Sequence, residues 1–323
     1  NPEGLESSLL SMAVDATSSD LNKLAEEDLI FFGEKEIIRD PMDEIEPISH
    51  EPPALTKDQT FIWEKIKTTI QNNQFAKPIL LHGVTGSGKT ELYLRSVKFI
   101  LEQNKTAIIL VPEISLTPQT VKRFQARFPG IVSIIHSQIS PGARYDTWRR
   151  IRKGEIKVVV GPRSALFSPL ENLGIIIVDE CHDDSYAQDD ISPRYNAIDV
   201  AEEYAKINAA LLVYGSATPG VDLMYKARSQ NWQILDLPLR IFAHKDAIRS
   251  QMPGQKMDET ITALPLPEVS VVDMRDELKQ GNRSIFSQEL KKSLQETLSK
   301  NEQAILFLNR RGSATYVFCR NCG

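Results

Sequence analysis

KPILLHGVTGSGKTELYLRSVKFILEQ, residues Lys77 to Gln103, reads as a strand, a glycine-rich loop and a helix in immediate succession. The apolar run PILLH supplies the strand, and ELYLRSVKFILEQ supplies the helix. Between them Gly83 to Thr90 form the string G-x-x-x-x-G-K-T, a pattern that is meaningful only in this strand-loop-helix setting. The loop of Gly83, Val84, Thr85, Gly86, Ser87 and Gly88 can curl so that its backbone N–H groups and the helix N-terminus aim at phosphate oxygens. Lys89 is then expected to reach the β and γ phosphates, and the Thr90 hydroxyl to ligate Mg²⁺.

Outward from this core, TAIILVP, IVSIIH, IKVVVG, LGIIIVDE and AALLVYGSA repeat the same kind of short run rich in Ile and Val. Strands this uniformly apolar are covered on both faces, so Leu55 to about Tyr225 is expected to be a doubly wound α/β domain around a parallel sheet. LGIIIV ends in Asp179, Glu180, Cys181 and His182, which places two carboxylates at the edge where open α/β sheets bind ligands. Asp179 is expected to hold Mg²⁺ through its water shell, and Glu180 to orient and deprotonate a water that attacks the γ-phosphate. His182 is read as a coupling residue in preference to an ordinary satisfied histidine, and Cys181 as a small buried neighbour. This Asp-Glu-x-His order points to a hydrolase of the helicase type.

A third string, Gly215 to Pro219, follows AALLVY, and its Ser216 and Thr218 suit a hydrogen-bonded switch. Taken in order, the strings match superfamily 2 helicases, and further segments narrow the match. LVPEISLTPQT (Leu110 to Thr120), VGPRSALFSPL (Val160 to Leu170) and AILFLNRRGSATYVFCRNCG resemble motifs Ia, Ib and IV of the primosomal protein N′ (PriA) family. The resemblance covers roughly residues 50 to 323. It implies a RecA-like helicase lobe, an ATPase moving 3′ to 5′ on single-stranded DNA, and the cofactors ATP, Mg²⁺ and structural Zn²⁺. It also implies forked DNA, primosome proteins, single-stranded DNA-binding protein and the replicative helicase loading machinery as partners.

By the same resemblance, Pro112, Thr117, Gln119, Arg163 and Ser164 are candidate contacts along the strand's path. DDSYAQDDISPRYNAIDVA resembles the family's aromatic-rich loop, which senses DNA and signals to the ATP site; Tyr186, Gln188, Arg194, Tyr195 and Asn196 carry that match, with tyrosine rings offered for base stacking. The chain departs from the family's pattern at Ile198, where Arg is usual, and at Cys181, where Glu is common. LTKDQ, Leu55 to Gln59, resembles an adenine-recognition motif in which Gln59 pairs with the base; an N-cap at Thr56 is a second reading, and both can hold.

A formal net charge of -5 over 323 residues argues against attraction of nucleic acid by the whole surface, so contacts must come from local groups. One local concentration is GARYDTWRRIRKGE, with Arg144, Arg149, Arg150, Arg152 and Lys153; a solvated helix face is favoured there over a DNA contact. Three cysteines are too few for a disulfide framework, and no apolar run is long enough for a membrane span. A cytoplasmic, nucleoid-associated protein is expected.

Residues 1–45, a short helix followed by a β-ribbon and an acidic linker, read as the remnant of a winged-helix-like DNA-binding domain, in preference to an appendage of the next domain. Residues 50–228 read as helicase lobe 1, and 229–323 as a connector and the start of lobe 2, with strands at VSVVDM and AILFLN and a helix near SQELKKSLQETLSK. Cys319 and Cys322 have the spacing of half a zinc site, and the resemblance implies further cysteines and an arginine-bearing second lobe beyond Gly323. By itself the chain is therefore expected to bind nucleotide and turn it over slowly. Two other classes remain open: a nucleotide-switched DNA-binding scaffold, and another superfamily 2 DNA translocase.

Overall fold

The computed structural model describes residue 10 and residues 13–33, 52–189, 192–241, 263–264 and 268–307. The chain divides into two compact units, Asn1–Pro265 and Leu266–Gly323. In the first unit the described strands are β1 (Ile79–Gly83), β2 (Thr106–Leu110), β3 (Val132–Ile134), β4 (Val158–Gly161), β5 (Leu173–Val178), β6 (Ala187–Gln188), β7 (Tyr195–Asn196), β8 (Leu211–Ser216), β9 (Gln233–Leu237), β10 (Arg240–Ile241) and β11 (Ala263–Leu264), the last two forming an antiparallel pair. Seven of them form one sheet in the order β3-β4-β2-β5-β8-β1-β9, and each neighbouring pair is parallel. β6 and β7 make a separate antiparallel ribbon.

Alternation along each strand sorts the core into two layers. Ile79, Leu81, Ile109, Val158, Ile175, Ile177 and Val213 face one side, where Ile62, Ile66 and Ile70 of the helix Lys57–Gln71 and Leu92, Val97 and Ile100 of the helix Lys89–Leu101 pack on them. Leu80, Ile108, Val159, Ile176, Val178, Leu212 and Tyr214 face the other side, beneath the helices Pro141–Arg152, Ala197–Ile207 and Val221–Ser229. Side chains of period 2 covered by helices on both faces are what the unbroken Ile and Val runs require.

The sheet runs one strand further along the chain than those runs show. β9 carries the mixed sequence QILDL and lies at the sheet's edge beside β1, with Asp236 exposed, so a lower apolar content suffices there. Near the start, the helix Ser18–Glu26 is closed by a capping box of Thr17 and Asp20. Residues 30–33 are not in a strand, and the remainder of the expected ribbon and linker, residues 34–51, lies outside the described residues.

In the second unit the expected helix forms as Gln288–Ser299, after a shorter one at Met274–Lys279. The strands read from VSVVDM and AILFLN do not form in the described part of those segments. Val269, Val271, Ile305 and Phe307 are exposed, and no described strand pairs with them, so nothing holds them in a ladder. Cys319 and Cys322 lie outside the described residues.

Candidate nucleotide site and nucleic-acid interface

The loops that carry three of the sequence motifs leave the carboxyl ends of the parallel strands. Gly83 to Thr90 follow β1, Asp179 to His182 follow β5, and Ser216 to Thr218 follow β8, which lies between those two. One rim therefore brings together residues 89, 179 and 180.

Within the glycine loop, Gly86 and Gly88 have φ of +80° and +82°, and Gly88 is the N-cap of the helix Lys89–Leu101. A Cβ on Gly88 would run into Nε2 of Gln59, so a side chain is excluded both by conformation and by space. Among the described residues, Val84 N–H donates to Leu237 O (3.1 Å) and Ser87 N–H to Val84 O (3.0 Å), while the N–H groups of Thr85, Gly86 and Gly88 have no protein acceptor. The Ser87 hydroxyl is likewise buried without a partner. Those unclaimed donors, together with the first N–H groups of the helix, are the cradle an oxyanion needs.

Lys89 is 7% exposed and its ammonium donates to Gly83 O at 2.7 Å, which folds it back over the loop. Its Nζ stands 3.9 Å from Glu180 Oε1. Glu180 has φ of +46°, a left-handed backbone that a glutamate rarely adopts, and the next N–H, that of Cys181, donates to Gly215 O at 3.0 Å. Strain of that kind, held in place by a neighbouring strand, is what aims a side chain into a site. Cys181 is buried, which pushes its thiol up to about 12, as expected for a packing residue rather than a nucleophile.

Asp179 is held at both ends by tyrosine hydroxyls. Tyr93 Oη donates to Asp179 Oδ1 at 2.9 Å, and Tyr186 Oη donates to the Asp179 carbonyl at 2.6 Å. Burial, and next the charge of Glu180, raise the Asp179 carboxyl to about 6, against the pull of the Tyr93 hydrogen bond and of Lys89. A Cβ on Gly215 would overlap the Tyr93 hydroxyl, so only glycine lets the P-loop helix reach across β8 to this carboxylate. His182 Nδ1 is 2.8 Å from Ser216 Oγ and 3.6 Å from Glu180 Oε2, and Ser216 Oγ accepts the Thr218 N–H at 2.9 Å. A chain of contacts thus connects Glu180 through His182 to Ser216 and Thr218.

Thr56 caps the helix Lys57–Gln71 in a full capping box with Gln59, whose Oε1 accepts the Thr56 N–H at 3.1 Å. Gln59 is 3% exposed, and its Nε2 donates to Ser87 O at 3.1 Å, tying this helix to the glycine loop. A cavity of about 30 Å³ lies beside it, lined by Thr56, Asp58, Ser87, Leu237, Leu239 and Ile241.

The expected strand-path residues divide. Thr117 is exposed at the N-cap of the helix Pro118–Arg127, Ser164 is half-buried, and the Gln119 side chain lies outside what is described. Pro112 is buried and its carbonyl takes the Ser115 N–H, so it shapes the turn and offers no surface to a strand. Arg163 Nη1 donates to the carbonyls of Ser185 (3.2 Å) and Ala187 (2.6 Å), binding the turn after β4 to the loop after β5.

In that loop Gln188 Nε2 donates to Pro193 O, Arg194 is exposed, Tyr195 is half-buried, and Asn196 caps the helix Ala197–Ile207. Tyr186 does not have the placement expected of a stacking ring. It is 1% exposed in the core, and it reaches the site only through its hydroxyl. Ile198, the departure from the Arg pattern, packs against the second core layer. On the basic helix, Arg149 and Arg152 lie over the rings of Tyr145 and Trp148.

Sequence reasoning gave no role to Tyr93 or Arg240 and named Gly215 only as the start of its motif string. Tyr93 lies four residues after Lys89, on the same helix face, which is the signal that could have found it. Arg240 Nε donates to Thr85 O (3.0 Å) and Ile241 N–H to Gly86 O (2.9 Å), so the segment after β9 clasps the glycine loop. Among the described residues no helix is long and apolar enough to cross a membrane.

A parallel α/β sheet with a Walker-type loop, a DExH strand end and a Ser-Ala-Thr turn on one rim defines a helicase-type P-loop domain. In agreement, the profile of the family described as "Type III restriction enzyme, res subunit" matches residues 53–221, and the chain belongs to that family. More particularly, it is homologous to curated proteins named replication restart protein PriA. That of Bacillus subtilis (strain 168) is 43% identical over 100% of this chain and 38% of the relative. That of Synechocystis sp. is 41% identical over 96% of this chain and 35% of the relative. The chain thus spans about two fifths of the length of these relatives. Among solved structures, RecG bound to a three-way DNA junction aligns with a TM-score of 0.43 and 23% identity, covering 58% of this chain and 24% of that one.

Proposed function

We propose that this chain is the nucleotide-binding lobe of an ATP-driven DNA helicase that acts in replication restart, moving 3′ to 5′ along one strand. The reading is supported above all by the meeting of Lys89 with Glu180 at 3.9 Å, beside a half-buried Asp179 held by Tyr93, on one rim of the sheet. The unclaimed N–H groups of the glycine loop fit the phosphates of a nucleotide, and Asp179 with Thr90 fits the hard, oxygen-seeking Mg²⁺. A bound Mg²⁺ would neutralise phosphate charge there.

The chain's own residues do the rest. The loop grips and orients the phosphates, Lys89 leaves the Gly83 carbonyl for them, and Glu180 takes the proton of the attacking water. Gln59, whose amide already joins the Thr56 N–H to the Ser87 carbonyl, is in this reading also the residue that meets the adenine edge. His182 and Ser216 carry the state of the site toward the turn after β8. Thr117, Arg163, Ser164, Arg194 and Tyr195 provide strand contacts on loops of the same rim. Forked DNA, primosome partners, a cytoplasmic setting and a Zn²⁺ site involving Cys319 and Cys322 belong to the same proposal, on the resemblance of the sequence motifs to the PriA family.

The test is phosphate release by the full-length protein, with and without single-stranded DNA, beside the Lys89→Ala variant. Strand-stimulated release that disappears in the variant is expected. Equal release by both proteins would remove the helicase reading.

A further inference from the structure

The aromatic ring best placed to meet an unpaired base lies in the Val160 to Leu170 segment, outside the aromatic-rich loop from which stacking was expected. Phe167 closes the turn Arg163–Phe167 after β4 and is 59% exposed, although the two residues before it, Ala165 and Leu166, are buried at 0% and 1%. Those anchors set the turn firmly and leave the Phe167 ring projecting from it. A large apolar side chain held outward on a rigid turn is poorly explained by packing within the described residues.

Tyr195 braces that ring. The two rings meet edge to face, with centroids 5.5 Å apart and an interplanar angle of 74°. Tyr195 is itself fixed from three directions: it pairs with Gln188 in the β6–β7 ribbon, it precedes the Asn196 helix cap, and it packs partly on the second core layer. Arg163 closes the unit by joining the Phe167 turn to the carbonyls of Ser185 and Ala187 at the ribbon's start. One side presents an aromatic face, and Arg194, exposed next to Tyr195, presents a cation.

We infer that Phe167, braced edge-on by Tyr195, is a stacking platform for one base of a single nucleic-acid strand, with Arg194 at the adjoining phosphate. This inference rests on the helicase reading above. A flat apolar face takes any base, so the platform grips without reading sequence, as a moving motor requires. A paired base inside a duplex keeps its faces covered by its neighbours, so the platform selects unpaired strand. The unit is also joined to the nucleotide site, since Tyr186, between the two carbonyls that Arg163 holds, donates to the Asp179 carbonyl.

The experiment uses the full-length protein and a fluorescent oligo-dT strand, read by anisotropy, with a fluorescent ADP analogue as the control for the nucleotide site. Phe167→Ala is expected to weaken strand binding by about 5- to 150-fold, the range for loss of one base-aromatic stack, with ADP affinity and melting temperature unchanged. Phe167→Trp is expected to bind like the wild type. Replacing the stacked nucleotide by an abasic one should weaken wild-type binding similarly, and should weaken Phe167→Ala little further.

Undiminished binding by Phe167→Ala, or equal further loss on the abasic strand, overturns the platform while leaving the helicase reading intact. Lower melting temperature together with lost ADP affinity would mark Phe167 as a packing residue and also overturn it. If the wild type binds no single strand, the helicase reading fails and the platform falls with it.

Discussion

Replacing Tyr93 by Phe would remove a single oxygen from the centre of the nucleotide site and keep the ring. That oxygen donates to Asp179 Oδ1 at 2.9 Å; the Tyr93 ring is buried and Asp179 is half-buried, so the carboxylate would lose a donor that the fold holds in place. A hydrogen bond to a charged group contributes about 1.5–3 kcal/mol net. Tyr93→Phe should therefore lower the melting temperature of this unit by about 3–12 °C, at roughly 2–4 °C per kcal/mol for a domain of this size.

A structural bond alone would end the effect there. If Tyr93 also aims the metal-holding carboxylate, the rise in melting temperature produced by Mg²⁺ and ATP together should shrink in the variant. The rise produced by ATP without the metal should stay as it is. Gly215→Ala is the matched perturbation, because its methyl would occupy the space of the Tyr93 hydroxyl; overpacking of this kind costs about 1–3 kcal/mol and should reduce the same metal-dependent increment. Scanning fluorimetry across a Mg²⁺ series reads all of these. A Phe variant that melts with the wild type and keeps the full metal-dependent rise would show that the Tyr93 contact is neither energetic nor positional.

Other substitutions probe the rest of the rim. Gly88→Ala forces a left-handed alanine against Gln59 and breaks its bond to Ser87, so fluorescent-nucleotide affinity should drop by about tenfold or more, consistent with roughly 1–2 kcal/mol of conformational penalty. His182→Ala and Ser216→Ala each cut the 2.8 Å contact between the DExH end and the turn after β8; in the full-length protein, strand stimulation of phosphate release should vanish while nucleotide affinity holds.

Glu202 offers a pH prediction. Burial opposes its charge, but hydrogen bonds from Lys226 and Lys206 outweigh burial and keep the carboxyl below its ordinary 4.5. The folded value lies below the unfolded one, so this stabilisation is complete above 4.5 and is lost as pH falls through the folded value. Glu202→Gln should lower the melting temperature at pH 7 and flatten its decline in acid.

How much of this was readable in advance depended on whether a residue's environment leaves a trace in its neighbours. β2, β4, β5 and β8 announce themselves because burial on both faces permits only apolar residues, and parallel order then forces their loops to one rim. The convergence of Lys89 with Asp179 and Glu180 follows from that order without any coordinate. Tyr186 shows the opposite case: polar neighbours in a loop suggest exposure, yet a single ring can turn inward and use its hydroxyl on a strand-end carbonyl. The same ambiguity hid Phe167, which sits beside two buried residues and points out. The pairing of Tyr93 with Gly215 was invisible for a different reason. Their meaning is a mutual fit across β8, in which the absence of one side chain makes room for the end of another, and no periodicity in a single segment can encode a contact between two segments. The residues that pattern reading misses are therefore those that tie one motif to the next, because a contact between two segments leaves no trace in the periodicity of either.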